Sequence, residues 1–166
     1  MTDTTAVPVL VQSVSRDPVE TLNSLLRKSG LAVHCTWIPA VQDVPDALEQ
    51  LNPELLVAFA PSSKDLIEIA SMRDQMASAV PLIVVREQFD EAKIGEDMAG
   101  GARDTVAVAH PEHVQAVIRR ELRAFRLERT LTSPCDPRRT IGTSSKPCCA
   151  ARTTRSPRCR KASWCR

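Results

Sequence analysis

The sequence predicts a doubly wound α/β domain on five parallel strands, followed by a tail of different character. Three observations predict it. Short apolar runs alternate with amphipathic helical stretches from Val7 to Leu131, which is the pattern of repeated βα units. Two of the runs, Leu55–Ala60 and Leu82–Val85, are continuously apolar, as central strands covered on both faces are. Composition then changes abruptly: residues 133–166 hold nine basic residues, one acid and five of the six cysteines, a net charge of +8 against −6 for the rest. The chain is therefore expected to divide into a domain, 1–131, and a basic Cys/Arg/Pro-rich tail, 132–166.

The elements follow in order. Val7–Val11 reads as the first strand, and Asp17, Pro18 and Glu20 supply an N-cap, a first-turn proline and a capping-box acid for the helix after it. Val19, Leu22, Leu25 and Leu26 recur at helical spacing until Gly30 stops the helix. Leu31–Ile38 is the second strand, and Asp43 caps a short helix carrying Val44, Ala47, Leu48 and Leu51. Leu55–Ala60 is the third strand. After Pro61-Ser62-Ser63 a helix runs from Lys64 to Met76 with Leu66, Ile67, Ile69 and Ala70 as its apolar positions. Pro81–Val85 is the fourth strand, Asp90–Ala99 a weaker helix, and Gly100-Gly101 a turn into the fifth strand, Thr105–Val108. Pro111 starts a long last helix on Val114, Val117, Ile118, Leu122 and Phe125.

Sheets of this kind bind ligands beyond the carboxyl ends of their strands. No G-x-G-x-x-G follows the first strand, no Walker loop occurs, and Gly100-Gly101 precedes a strand rather than a helix, so a nucleotide enzyme of the usual kind is not expected. An enzyme is not expected, nor a cofactor. No apolar run approaches the roughly 20 residues of a membrane span, and Met1–Gln12 lacks a basic n-region. A cytoplasmic chain with reduced thiols and no membrane span is the expectation. His34 and Cys35 are neighbours in a strand, where side chains diverge, so they are read as structural. Met72 and Met76 are read as core filler.

Pro53-Glu54-Leu55-Leu56-Val57-Ala58-Phe59 resembles the third-strand signature of response-regulator receiver domains, in which Pro-Asp precedes an apolar run ending in the phosphate-accepting Asp. Pro81–Arg86, Gly101-Ala102-Arg103-Asp104 and His110-Pro111 resemble the family's later stretches. The resemblance covers residues 7 to 126 and implies the strand order 2-1-3-4-5. It also implies where phosphorylation chemistry would sit. The family's magnesium-holding acidic pair maps onto Ser13 and Val14, its acceptor Asp onto Phe59, its Ser or Thr onto Arg86, and its Lys onto His110. Magnesium needs carboxylate oxygens, and the attacking group must be a carboxylate. All five positions are changed, which implies a degenerate receiver that cannot be phosphorylated there and binds no metal.

Gly101–Val106, Arg120–Arg129 and the opening Val9–Pro18 are similar to the N-terminal receiver-like domains of FimX-type GGDEF/EAL proteins of cyclic-di-GMP signalling. This implies the regulatory or targeting part of such a protein, acting by protein–protein contacts, with another signalling or pilus-machinery protein as a partner. Receiver-like domains also pair through the face of the fourth helix, fifth strand and fifth helix, which implies a homodimer through Arg103, Asp104, Arg119 and Arg123. Two alternatives stand beside this reading: a response regulator phosphorylated on another acid such as Asp17 or Asp65, and nucleic-acid binding through the tail, with Trp164 for stacking.

The tail has one branched aliphatic residue, Ile141, and four prolines, too little apolar surface to offset chain ordering. Its cysteines, separated by 12, 0, 9 and 5 residues with no histidine among them, do not match zinc-ligand spacing. Nucleic acid is not the expected partner. The switch in composition near residue 132 points to a change of reading frame in the encoding DNA.

Overall fold

A computed structural model describes residues 6–88 and 90–132; the expectations for the tail lie outside the described residues. The chain runs β1 (Val7–Gln12), α1 (Asp17–Lys28), β2 (Val33–Ile38), a 3-10 turn (Val41–Asp43), α2 (Val44–Leu51), β3 (Leu55–Phe59), α3 (Ser63–Met76), β4 (Leu82–Arg86), α4 (Glu91–Ala99), β5 (Asp104–Ala107) and α5 (Pro111–Thr132). All strand pairs are parallel, in the order β2-β1-β3-β4-β5. The five parallel strands are what the apolar runs imply, and their order is the one the receiver resemblance implies.

The central strands are buried on both faces, and their alternation decides which helices each residue meets. Val9, Val11, Leu55, Val57, Ile83 and Val85 join Leu22 and Leu26 of α1 and Ile118 and Leu122 of α5 in one core. Leu10, Leu56, Ala58, Leu82 and Val84 point the other way, into a second core with Leu48 of α2 and Leu66 and Ile69 of α3. Each such side chain contributes roughly 1.5–3 kcal/mol relative to exposure, so the two-sided burial of β1, β3 and β4 holds the three layers together. Among the described residues no helix is long and apolar enough to cross a membrane.

Several local expectations need correction. Asp17 is the first residue inside α1 and makes no cap: Arg16 stands at the N-cap without a side-chain cap bond, and the Asp17 N–H donates to the Ser15 hydroxyl at 3.4 Å. Asp17 still lies where the helix dipole favours an acid. Asp43 at the α2 N-cap also makes no side-chain cap bond. Two caps went unread: the Ser62 hydroxyl accepts from the Asp65 N–H at 3.1 Å and starts α3 at Ser63, and the Asp90 carboxylate accepts from the Ala92 N–H at 3.0 Å and starts α4 at Glu91. Ile67 is 59 % exposed, because Leu66, Ile69 and Ala70, at i, i+3 and i+4, already define the buried face and Ile67 falls outside it. Met72 packs against the second core, whereas Met76 is exposed. Ala60 leaves β3 with a left-handed φ of 42°, and its N–H donates to the Val85 carbonyl at 2.8 Å, pinning the strand end to β4.

Candidate functional site

The carboxyl ends of β1, β3, β4 and β5 form the rim where the five singled-out positions fall. Ser13, directly after β1, is buried, and its carbonyl accepts from the Trp37 indole at 2.9 Å, while Val14 beside it is 89 % exposed. Phe59 ends β3 half-buried, with its ring packed against the α1/α5-side core. His110 is exposed; its N–H donates to the Ala107 carbonyl and its own carbonyl accepts from His113 and Val114, opening α5. Among the described residues, no three His, Cys, Asp or Glu side chains converge as a metal site would require.

Arg86, the last residue of β4, carries the polar geometry of this rim. Its guanidinium meets the Asp97 carboxylate twice, Nε to Oδ2 at 2.7 Å and Nη2 to Oδ1 at 2.5 Å. The side chain of Asp97 is only 2 % exposed and that of Arg86 18 %. Thr105 on β5 donates its hydroxyl to Asp97 at 3.4 Å, and Arg86 reaches the Pro61 carbonyl at the same distance. One bidentate pair thus ties α4 to β4, with β5 and the β3–α3 loop on longer contacts. The hydrogen bond to Asp97 raises the Arg86 pKa above its already high ordinary value, against a smaller opposing effect of burial. The guanidinium is permanently charged and already committed.

Asp97 escaped the sequence reading, although a signal existed. It follows Ile94 by three residues, which places both on one helical face, and it is the buried residue of α4. An acid in phase with the apolar face of a helix, opposite an arginine at a strand end, marks a buried pair.

The residues proposed for pairing separate into two groups on either flank of α5. On the β5 flank, Arg120 bonds Asp104 at 2.7 Å and Glu121 at 2.9 Å, and both contacts, Asp104 first, raise the Arg120 pKa. Arg103 lies 2.9 Å from Glu121 and 3.6 Å from Glu128. Its N–H is not aimed at the Glu121 oxygen, which has a charge contact without an aligned hydrogen bond. Arg119 belongs to the other flank, where it donates to the Ser29 carbonyl at the end of α1. Arg123 is exposed on the outer face. The structure brings Arg103 and Asp104 together and leaves Arg119 apart from them.

Elsewhere, His34 is exposed and Cys35 half-buried against the α1/α5-side core. Burial pushes the Cys35 thiol up to about 11, with Arg27 pulling slightly the other way.

No protein-family model and no curated protein sequence matches the chain. Solved structures do. A signal receiver domain from Vibrio parahaemolyticus superposes with a TM-score of 0.64 at 13% identity, covering 78% of this chain and 99% of that one. A Burkholderia pseudomallei protein described as pilus assembly-related gives 0.58 at 17% identity over 70% and 90% of the two chains. An atypical orphan response regulator, described as having a phosphorylation-independent regulatory mechanism, gives 0.57 at 16% identity over 70% and 96%. The chain has the receiver fold.

Proposed function

We propose that this chain is a receiver-like signalling module that works without phosphorylation, by contact with other proteins. The observation that carries the reading is the replacement of the phosphate-accepting position by Phe59. A benzyl group has no lone pair with which to attack phosphorus and no oxygen for a cation. The supporting positions agree: Ser13 and Val14 offer no carboxylate, and Arg86 is held in a buried pair with Asp97.

The similarity of Gly101–Val106 and Arg120–Arg129 to FimX-type domains supports a narrower assignment, to the N-terminal regulatory part of a cyclic-di-GMP signalling protein. The pilus-related description of the Burkholderia neighbour is a second support, for a pilus-machinery partner. Incubation with acetyl phosphate and magnesium, read by intact mass, tests the main reading. No phosphoryl adduct is expected; a stoichiometric adduct on Asp17, Asp65 or another acid would overturn it.

A further inference from the structure

From Arg126 to Leu131 every residue of α5 is exposed, and two of them are leucines, Leu127 at 58% and Leu131 at 85%. Ala124, half-buried one turn earlier, completes a row at i, i+3 and i+7 along the outer side of the helix. That spacing is one heptad, with Ala124 and Leu131 at a and Leu127 at d, the geometry by which one helix seats along another. Apolar surface left in water in this way is stabilised by being covered. Phe125 and Arg129 turn away from the row, into a groove toward the ends of α2 and α3, and Glu128 stands at the border between groove and row.

The charges at the two edges of the row identify what covers it. Arg123 occupies the g position on one edge and Glu128 the e position on the other. Most arginines of α5 are engaged within the chain: Arg120 with Asp104 and Glu121, Arg126 with Glu54, and Arg119 with the Ser29 carbonyl. Arg123 is in no ion pair among the described residues. Glu128 is 53% exposed and 3.6 Å from Arg103, beyond hydrogen-bond distance, and Arg103 keeps Glu121 at 2.9 Å without it. In a parallel helix pair, the g residue of one copy meets the e residue five positions on in the other. Arg123 and Glu128 have that spacing, whereas an antiparallel pair would set the two Arg123 edges together. Arg120, one step above the row at a d position, is drawn aside toward β5 by Asp104 and Glu121.

We infer that two copies pair side by side through parallel α5 helices, Ala124, Leu127 and Leu131 packing on their own counterparts and each Arg123 meeting the Glu128 of the other copy. The same row serves both copies, so a two-fold axis along the helices closes the assembly as a dimer. One heptad is too short to hold two free helices together. Here the core already fixes α5 through Val114, Ile118 and Leu122, so no helix-ordering cost falls on the pair. The inference deepens the proposed function by naming one protein contact, and rests on it only in that association needs no phosphate. The two fail separately: phosphoryl uptake would overturn that reading and leave the dimer standing, and a monomer would do the reverse.

Sedimentation equilibrium of the full chain under reducing conditions tests it. A short seam makes a weak pair, so the parent is expected to dimerise with a Kd on the order of 100 μM, with or without acetyl phosphate. Leu127→Asp combined with Leu131→Asp should weaken this by at least about tenfold. Arg123→Glu and Glu128→Arg should each weaken it about three- to tenfold, and the two in one chain should restore it. A mixture of the two single variants should associate more strongly than either alone, because unlike charges then meet at both edges. All four positions are exposed, and an unchanged urea midpoint checks that each variant is folded. A parent still monomeric at about 1 mM, a dimer that survives loss of both leucines, or a charge exchange that restores nothing would overturn the inference.

Discussion

Breaking the Arg86–Asp97 pair from its two ends should cost different amounts. Arg86→Leu leaves a carboxylate whose side chain is 2% exposed, with only the Thr105 hydroxyl at 3.4 Å nearby. An abandoned buried charge of this kind typically costs about 3–5 kcal/mol. Asp97→Asn leaves instead a guanidinium that is 18% exposed and retains its 3.4 Å contact with Pro61. That group can turn to water, so the loss should be nearer 1–3 kcal/mol, the worth of a charge-assisted hydrogen bond. Replacing both, Arg86→Met with Asp97→Leu, removes the desolvated charges together and should come back to within about 2 kcal/mol of the parent. Urea unfolding followed by circular dichroism, with a common slope, measures all three. For a slope of about 1–3 kcal/mol/M the Arg86→Leu midpoint should fall on the order of 2 M. If Arg86→Leu costs no more than Asp97→Asn, or the double variant is no better than Arg86→Leu, the pair is not what ties α4 to the sheet.

Three further outcomes follow from local geometry. Ser62→Ala should lower stability by about 1 kcal/mol through loss of the α3 cap, while Asp43→Ala, at a position making no cap bond, should change the urea midpoint little. Gly101→Ala should be worse than Gly30→Ala by thermal melting: both have positive φ, but a Cβ at Gly101 would stand 2.7 Å from the Ala70 Cβ, whereas none crowds Gly30. Cys35 is held protonated in the fold, so the unfolded chain ionises first as pH rises above 9.0 and stability from this group falls between there and about 11. Iodoacetamide labelling of the Cys35 peptide, read by mass spectrometry, should accelerate near the upper value; rapid labelling at pH 8 would contradict it.

The strands were legible because burial on two faces leaves a run such as Leu55–Ala58 no polar positions, a pattern that survives any error of a residue at its ends. Helix existence was legible through one-sided burial, in stripes such as Leu22 and Leu26. Caps were not, because Asp17, Asp43 and Ser62 are all competent residue types and only the backbone geometry chooses which of them meets an N–H. Ile67 misled because four apolar residues within five positions exceed the width of one buried stripe. At the rim, which residues stand at the five singled-out positions was readable at once, whereas the Arg86–Asp97 pair needed the crossing of α4 over β4 and β5. The split of Arg103 and Asp104 from Arg119 likewise depends on how α5 is rotated, which its charge pattern does not state.

The central claim is that the carboxyl rim of this sheet does not respond to phosphoryl chemistry, and amide nuclear magnetic resonance spectra with and without beryllofluoride and magnesium test it most directly. The expected result is unchanged resonances for Ser13, Phe59 and Arg86. Saturable shifts concentrated at those three residues would contradict the account.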